Sequence, residues 1–199
     1  MNRELMQKIT WMHPGIAYIM EAIPVDAASL LDVGCGGGVI GALCRIYRDT
    51  DRLIGIDAYA PVLELCRRHA FYDECMQLDV GNGALPFADS SFDVVTCVEV
   101  IEHLEKAQGL ALLDELERIG RRVIVTTPNG FLEQGELAAN PLQRHRSGWT
   151  VREFATRGYT VRGVGAMLVF GRHRRFISSA LAPVTRVIPS LSELLLCVR

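Results

Sequence analysis

The 199-residue sequence predicts a doubly wound α/β domain built on a parallel sheet. Three observations predict it. Short apolar strands alternate with amphipathic runs of helix length from about residue 29 to residue 127. The strand runs are nearly continuous in apolar residues, as expected when both faces of a sheet are covered. The first strand, Leu30-Leu31-Asp32-Val33, breaks into Gly34-Cys35-Gly36-Gly37-Gly38 and passes straight into a helix. Such a turn lets a ligand approach bare backbone, and the helix start offers free N–H donors.

Each element has its own signal. Residues 2–22 read as an amphipathic helix ending near Pro24, residues 29–34 as the first strand and 37–48 as the helix after it. Leu53-Ile54-Gly55-Ile56-Asp57 is a second strand closing on an acid. A helix over 60–71 carries Pro61 in its first turn, where a missing N–H does no harm. Cys75 to Leu78 is a third strand, followed by Asp79. Phe92 to Val98 is a fourth, a long helix covers 103–119, and Arg122 to Thr127 is a fifth strand stopped by Pro128-Asn129-Gly130. Residues 129–148 are polar and rich in turn formers, the composition of a functional loop. Thr150 is a candidate N-cap for a short helix to Arg157. Gly158 to Val164 and Leu194 to Val198 read as strands, with Pro183 and Pro189 breaking the apolar stretch Phe176 to Leu191 between them.

Composition narrows the class. Hydrophobic residues make up 49% of the chain, which argues against disorder. The first 21 residues lack the unbroken apolar core of a signal peptide, and no run of about 18 apolar residues suggests a membrane span. The six cysteines form no C-x-x-C pair, so the expectation is a cytoplasmic protein without disulfides or a zinc site. Net charge is −2 but unevenly spread: residues 1–143 hold 11 Lys and Arg against 21 Asp and Glu, and residues 144–199 hold 10 Arg against two Glu. That arginine-rich third either neutralises the acidic body or favours an anionic substrate, a membrane surface or a nucleic acid.

In an open parallel sheet, ligands bind beyond the carboxyl ends of the strands. Asp32, Asp57 and Asp79 stand at three of those ends. Asp57, with Ala58 beside it, lies 19 residues beyond Gly38, the right distance to accept from both hydroxyls of a ribose. Asp79, with Val80 next to it, is placed to accept from an adenine amino group. Gly36 to Gly41 also satisfies the dinucleotide pattern G-x-G-x-x-G. Asp32 separates the two readings, because a carboxylate there repels a pyrophosphate and attracts an ammonium or sulfonium.

Leu31-Asp32-Val33-Gly34-Cys35-Gly36-Gly37-Gly38, Asp57, Leu78-Asp79-Val80 and Leu85-Pro86-Phe87 with Phe92-Asp93-Val94-Val95 resemble the ordered motifs of class I S-adenosylmethionine-dependent methyltransferases. The resemblance runs from about residue 28 to the C-terminus. It implies a Rossmann-like, seven-stranded sheet whose last strand, near Leu194 to Val198, inserts antiparallel. It also implies methyl transfer by in-line displacement, leaving S-adenosylhomocysteine. Asp32 and the backbone of Gly34, Cys35 and Gly36 would face the methionyl end of the cofactor, and Glu99 would neighbour it. The chain then reads as one domain: an N-terminal helix or lid over 1–27, a cofactor-binding core over 28–128, and an acceptor-side loop with C-terminal strands over 129–199.

On the acceptor side, Glu99-Val100-Ile101-Glu102-His103-Leu104 follows the fourth strand. If helical, Glu99, Glu102 and His103 share one face. The run resembles that of ubiquinone-pathway O-methyltransferases and of small-RNA 2′-O-methyltransferases. In the RNA enzymes it implies a bound divalent metal joined by a later histidine, for which His145 is the positional match. The plainer reading is that the acids favour a helix start and His103 lines the acceptor pocket, without a metal. Glu102, His103 and His145 are the candidate catalytic residues. Trp149 either anchors a loop over the site, with His145 and Arg146 pointing inward, or Ser147 and Thr150 merely cap the next helix. Trp11 to Pro14 on the N-terminal helix either form the other wall or belong to a helix that simply covers the sheet. Arg172 to Phe176 suggests a connection over the pocket or a seat on an anionic bilayer, a peripheral membrane contact.

The expectation is a methyltransferase acting on a small-molecule or lipid-like acceptor, at oxygen. A metal-assisted RNA 2′-O-methyltransferase, which would take RNA as partner, is the alternative. A non-catalytic subunit that keeps the fold ranks below both, since the cofactor motif is intact.

Overall fold

Strand alternates with helix along the chain, and the strands assemble into one seven-stranded sheet in the order β3-β2-β1-β4-β5-β7-β6. The computed structural model describes residues 15–136, 140–167 and 182–199. The elements are α1 (Ile16–Ala22), β1 (Ser29–Val33), α2 (Val39–Tyr47), β2 (Arg52–Asp57), α3 (Ala60–His69), β3 (Glu74–Gln77), β4 (Phe92–Val98), α4 (Lys106–Ile119), β5 (Gly120–Pro128), α5 (Val151–Thr156), β6 (Thr160–Met167), α6 (Ala182–Val187) and β7 (Ser192–Val198). The pairs β1–β2, β1–β4, β2–β3 and β4–β5 are parallel, and β7 runs antiparallel between β5 and β6. The expected fold class is therefore present, including the antiparallel last strand. The strand order reverses between β1 and β4, which opens a crevice at their carboxyl ends.

Successive strand residues point to opposite faces, so each apolar run feeds two cores at once. Leu31, Val33, Val95, Val123 and Leu195 meet Leu112, Leu113 and Leu116 of α4 and the aromatics Trp149, Phe154 and Tyr159. Leu30, Leu53, Val94, Ile124 and Leu196 meet Ile19, Ile40, Cys44, Leu63 and Tyr72 on the other face. Each of the fully buried leucines is worth about 1.5–3 kcal/mol relative to exposure. All six cysteines are free thiols, and five of them pack within these layers.

Helix boundaries follow their caps. Thr150 accepts from the Glu153 N–H while Glu153 accepts from the Thr150 N–H, which starts α5 where expected. A reciprocal pair, Glu105 with Gln108, starts α4 at Lys106. The helix expected over 103–119 is therefore shorter, and Ile101–His103 forms a separate 3-10 turn. Arg48 donates to the carbonyls of Met20 and Ile23 and so closes the end of α1. The helical reading of residues 2–14, Trp11 to Pro14 included, and the basic cluster Arg172 to Phe176 lie outside the described residues.

The charge asymmetry resolves in part within the fold, where four of the ten C-terminal arginines pair with acids. Arg157 pairs with Asp114 and Glu117 of α4, Arg199 with Glu117, Arg186 with Glu21, and Arg146 with Glu105. No helix among the described residues is long and apolar enough to cross a membrane.

Candidate active site

The glycine turn forms one wall of a crevice of about 130 Å³ lined by Asp32, Gly34, Cys35, Gly36, Gly37, Val39, Ile40, Val98, Glu99 and Ile16. Gly34 turns the chain out of β1 at φ +69, a backbone conformation costly for any residue with a side chain. A Cβ there would also lie 2.2 Å from Val100 Cγ2. The N–H groups of Gly34 and Cys35 both donate to the Ile56 carbonyl, which ties the turn to β2.

Asp57, at the end of β2, accepts from the Gly36 N–H at 3.0 Å and from the Tyr59 N–H at 2.8 Å. Burial raises its carboxyl and the backbone donors partly offset that. Each oxygen keeps a second lone pair, enough to accept from two ribose hydroxyls. The Ala58 carbonyl beside it accepts from Gln77 Nε2. Asp79 is exposed beyond β3, with its oxygens taken up by the Gly81 N–H and Asn82 Nδ2 in a local turn. Val80 packs partly buried against the sheet. Asp79 therefore stands where expected but engages its own turn rather than facing free space.

Asp32 is only 2% exposed and lines the crevice. Burial pushes its carboxyl up to about 6, against the opposing effect of hydrogen bonds from Tyr72 and Thr96. Both donors escaped the sequence reading. Thr96 had a signal, since it is a polar residue in the apolar centre of β4 and pairs in register with Asp32 across β1 and β4. Ile16, Val39, Ile40 and Val98 were likewise not singled out.

Beyond β4 the run of acids does not form a helical face. Glu99 sits at φ +54, which breaks the strand before any α-turn can begin. Its carboxylate accepts from Thr126, whereas Glu102 accepts from Thr127 at 3.1 Å. Neighbouring residues of β5 point to opposite sides, so the two acids are held apart by the strand's alternation. The expectation of a shared face is corrected accordingly. Glu99 lines the crevice, while the buried Glu102 turns its carboxyl to Thr127, still near enough to feel the Glu99 charge.

There Glu102 meets two imidazoles. Glu102, His103 and His145 each offer a ligand atom, and these atoms lie within 4.8 Å of one another. The His103 and His145 rings stand 4.9 Å apart between centroids. His103 Nδ1 lies 3.3 Å from the Arg144 carbonyl, and His145 Nδ1 lies 2.7 Å from the Leu132 carbonyl. A carbonyl only accepts, so each Nδ1 carries the proton and each Nε2 keeps its lone pair in the neutral ring. Burial lowers the His103 imidazolium and favours that neutral form. Burial, then the nearby Glu99 charge, raises the Glu102 carboxyl well above its ordinary value, and its Oε1 has no hydrogen-bond partner.

The loop carrying His145 is held by Trp149, which is fully buried. Trp149 Nε1 donates to Ser147 Oγ, and the Arg146 and Ser147 N–H groups donate to the Glu102 carbonyl. Lys106 Nζ sits 3.4 Å from the Trp149 ring centroid and donates to the Gly148 carbonyl. The anchoring alternative thus describes Trp149 and His145. Arg146 turns outward toward Glu105 instead of into the site.

Residues 31–123 match the family model described as a methyltransferase domain. With a seven-stranded sheet of this order and a glycine turn over an acid-lined crevice, the match decides the family. The chain carries a class I S-adenosylmethionine-dependent methyltransferase domain. A ubiquinone biosynthesis O-methyltransferase of Saccharophagus degradans is 34% identical over 117 residues, 56% of this chain and 48% of that one. The mitochondrial enzyme of the same description from Schizosaccharomyces pombe is 31% identical over 110 residues, 52% of this chain and 39% of that one. This methyltransferase chain thus spans less than half the length of those two relatives. Among solved structures, the complex of the Haloferax volcanii Trm112 methyltransferase activator with its methyltransferase superposes at TM-score 0.66 and 18% identity, covering 97% of this chain and 90% of that one. A bacterial CtHen1 methyltransferase domain superposes at TM-score 0.58 and 23% identity, covering 92% and 93%. These two likenesses speak for the methyltransferase fold.

Proposed function

We propose that this chain transfers the methyl group of S-adenosylmethionine to an oxygen of a small or lipid-like acceptor, leaving S-adenosylhomocysteine. The observation that carries the reading is the pair of imidazoles, His103 and His145, with basic Nε2 atoms just beyond the end of β4, while Glu99 lines the cofactor crevice from the same strand end. The O-methyltransferase relatives add support from a different direction. Asp57 would take the ribose and Asp32 would face the methionyl ammonium.

The sulfonium is already a good leaving group, so the protein's work is to align methyl and acceptor and to keep water out. An acceptor hydroxyl must also lose a proton, and a neutral imidazole is the group to take it. Burial raises the Glu102 carboxyl, so the imidazoles and not Glu102 are the bases in this reading. A divalent cation fits the same residues: one buried carboxyl whose Oε1 has no partner among the described residues, and two imidazoles, a donor set suited to Zn²⁺, Mn²⁺ or Fe²⁺. Glu102, His103 and His145 would hold it, and it would make a bound hydroxyl more acidic.

The same cluster favours a second reading, metal-assisted methylation of an RNA 2′-hydroxyl. Against it, four of the C-terminal arginines pair with this chain's own acids. The deciding experiment incubates the protein with isotopically labelled S-adenosylmethionine and metabolite, lipid or RNA extracts, with and without divalent cations, and reads the labelled product by mass spectrometry. Label in a small or lipid-like product supports the first reading. Label in RNA alone, with steep salt dependence, supports the second.

A further inference from the structure

Tyr72, on the connection between α3 and β3, lies on the underside of the glycine turn and is 6% exposed. A Cβ at Gly41 would fall 2.5 Å from its Cζ, and one at Gly55 3.1 Å from its Cδ2. The bare backbone of α2 and β2 therefore makes room for one aromatic ring. The hydroxyl at its tip accepts from the Gly41 N–H at 3.2 Å and donates to Asp32 Oδ2 at 2.6 Å. Thr96 Oγ1 donates to the other Asp32 oxygen at 2.7 Å.

The Gly41 contact has a clear physical need. Gly41 is the third residue of α2, and its N–H is one of the donors a helix start leaves without an internal partner. The N-cap residue is Gly38, which has no side chain to supply the acceptor. Tyr72 supplies it from outside the helix. The same oxygen then reaches back to the strand that precedes the turn. One phenol bridges the two elements, β1 and α2, between which the cofactor turn is strung.

We infer that Tyr72 is a positioning residue of the cofactor crevice, a strut whose hydroxyl holds the Asp32 carboxylate against the first turn of α2 so that it faces the methionyl ammonium. The inference rests on the cofactor reading above. Tyr72 touches no reacting atom and acts through Asp32 and the turn.

Ring and hydroxyl can be told apart by pH. An ionised Asp32 attracts the ammonium, and a protonated one does not, so cofactor affinity falls as pH drops through the Asp32 titration, at about 6. The hydrogen bond from Tyr72 favours the ionised form. The other groups facing Asp32 are Asp57 at the end of β2, Cys35 in the turn, Cys44 on α2, Cys66 on α3, Cys97 on β4 and Glu99 beyond β4. The hydrogen bonds of Asp57 go to Gly36 and Tyr59, so its contribution is common to wild type and Tyr72 variants.

The test is calorimetric titration of S-adenosylhomocysteine into wild type, Tyr72→Phe, and a protein with 3-fluorotyrosine at position 72, across pH 5 to 8. Phe keeps the ring and removes the oxygen. The acid limb of its affinity profile should move up by about one pH unit, giving roughly fivefold weaker binding near pH 6, approaching tenfold near pH 5, and binding within about twofold of wild type near pH 8. Fluorotyrosine, a stronger donor with the same fold demands, should move the limb down, and it decides the matter if the Phe variant does not fold. Superimposable profiles, or uniform weakening without a shift, overturn the inference while leaving the cofactor reading intact. A wild type that binds no S-adenosylhomocysteine at any pH overturns both.

Discussion

His103 and His145 face each other with ring centroids 4.9 Å apart, and each gives its Nδ1 proton to a backbone carbonyl, of Arg144 and Leu132 respectively. Two basic nitrogens are thereby left on one side of the sheet end, beside a buried acid. Replacing His103 by Gln keeps an amide of similar reach but no basic nitrogen. It should lower kcat by about 10²-fold or more while leaving S-adenosylhomocysteine affinity within about twofold. Steady-state kinetics on the acceptor found by extract screening, with calorimetry alongside, checks both halves.

The pH profile follows from the same residue. Burial lowers the His103 imidazolium from its ordinary 6.5, so the neutral form persists below that pH. The acid limb of kcat/KM should lie below pH 6.5 in wild type. A limb above that value would mean that a different group titrates.

Asp32 carries a stability cost. Its carboxyl is raised in the folded state to about 6 from 3.8, so the folded chain binds the extra proton. The apo protein should therefore lose stability as pH rises from about 4 to 6 and stay at the lower level above it. Asp32→Asn removes that slope. It should raise Tm at pH 7, by an amount equivalent to about 1–3 kcal/mol, while weakening cofactor binding. Thermal melts across pH, with and without S-adenosylhomocysteine, read both effects.

Oε1 of buried Glu102 has no hydrogen-bond partner among the described residues, and Glu102, His103 and His145 offer ligand atoms within 4.8 Å of one another. Millimolar Mn²⁺ or Zn²⁺ should raise Tm by several degrees in wild type and by none in Glu102→Gln. Equal melts with and without the ions in wild type would remove the metal from the account.

Trp149 joins loop to core and is fully buried. Trp149→Ala should cost about 3–5 kcal/mol. Trp149→Phe, which keeps most of the packing but loses the bond to Ser147, should lower kcat more than it weakens S-adenosylhomocysteine binding. An equal loss in both would place Trp149 in the scaffold alone.

The sheet was legible because its signals are local. Apolar runs, glycine breaks and caps such as Thr150 with Glu153 depend on residues a few positions apart. The acids at the strand ends were legible for the same reason. The links between elements were not. Tyr72 under Gly41 is a contact across a whole strand–helix unit, and no spacing rule announces it. Glu99 and Glu102 looked like neighbours on a helix, but the positive φ at Glu99 prevents a helix there, and their carboxyls turn to different residues, Thr126 and Thr127. The start of α4 depended on Glu105 and Gln108 forming a reciprocal cap, a pairing weaker in sequence than the Ser or Thr form.

The crevice beside Asp32 and Asp57 is the centre of the account. Calorimetric titration of the wild-type chain near pH 7.5 with S-adenosylhomocysteine, and in parallel with NADH, tests it directly. Saturable binding of the thioether nucleoside in the micromolar range, lost in Asp57→Ala and absent for NADH, is the predicted result. No heat with S-adenosylhomocysteine near 1 mM, or tighter binding of NADH, would contradict it.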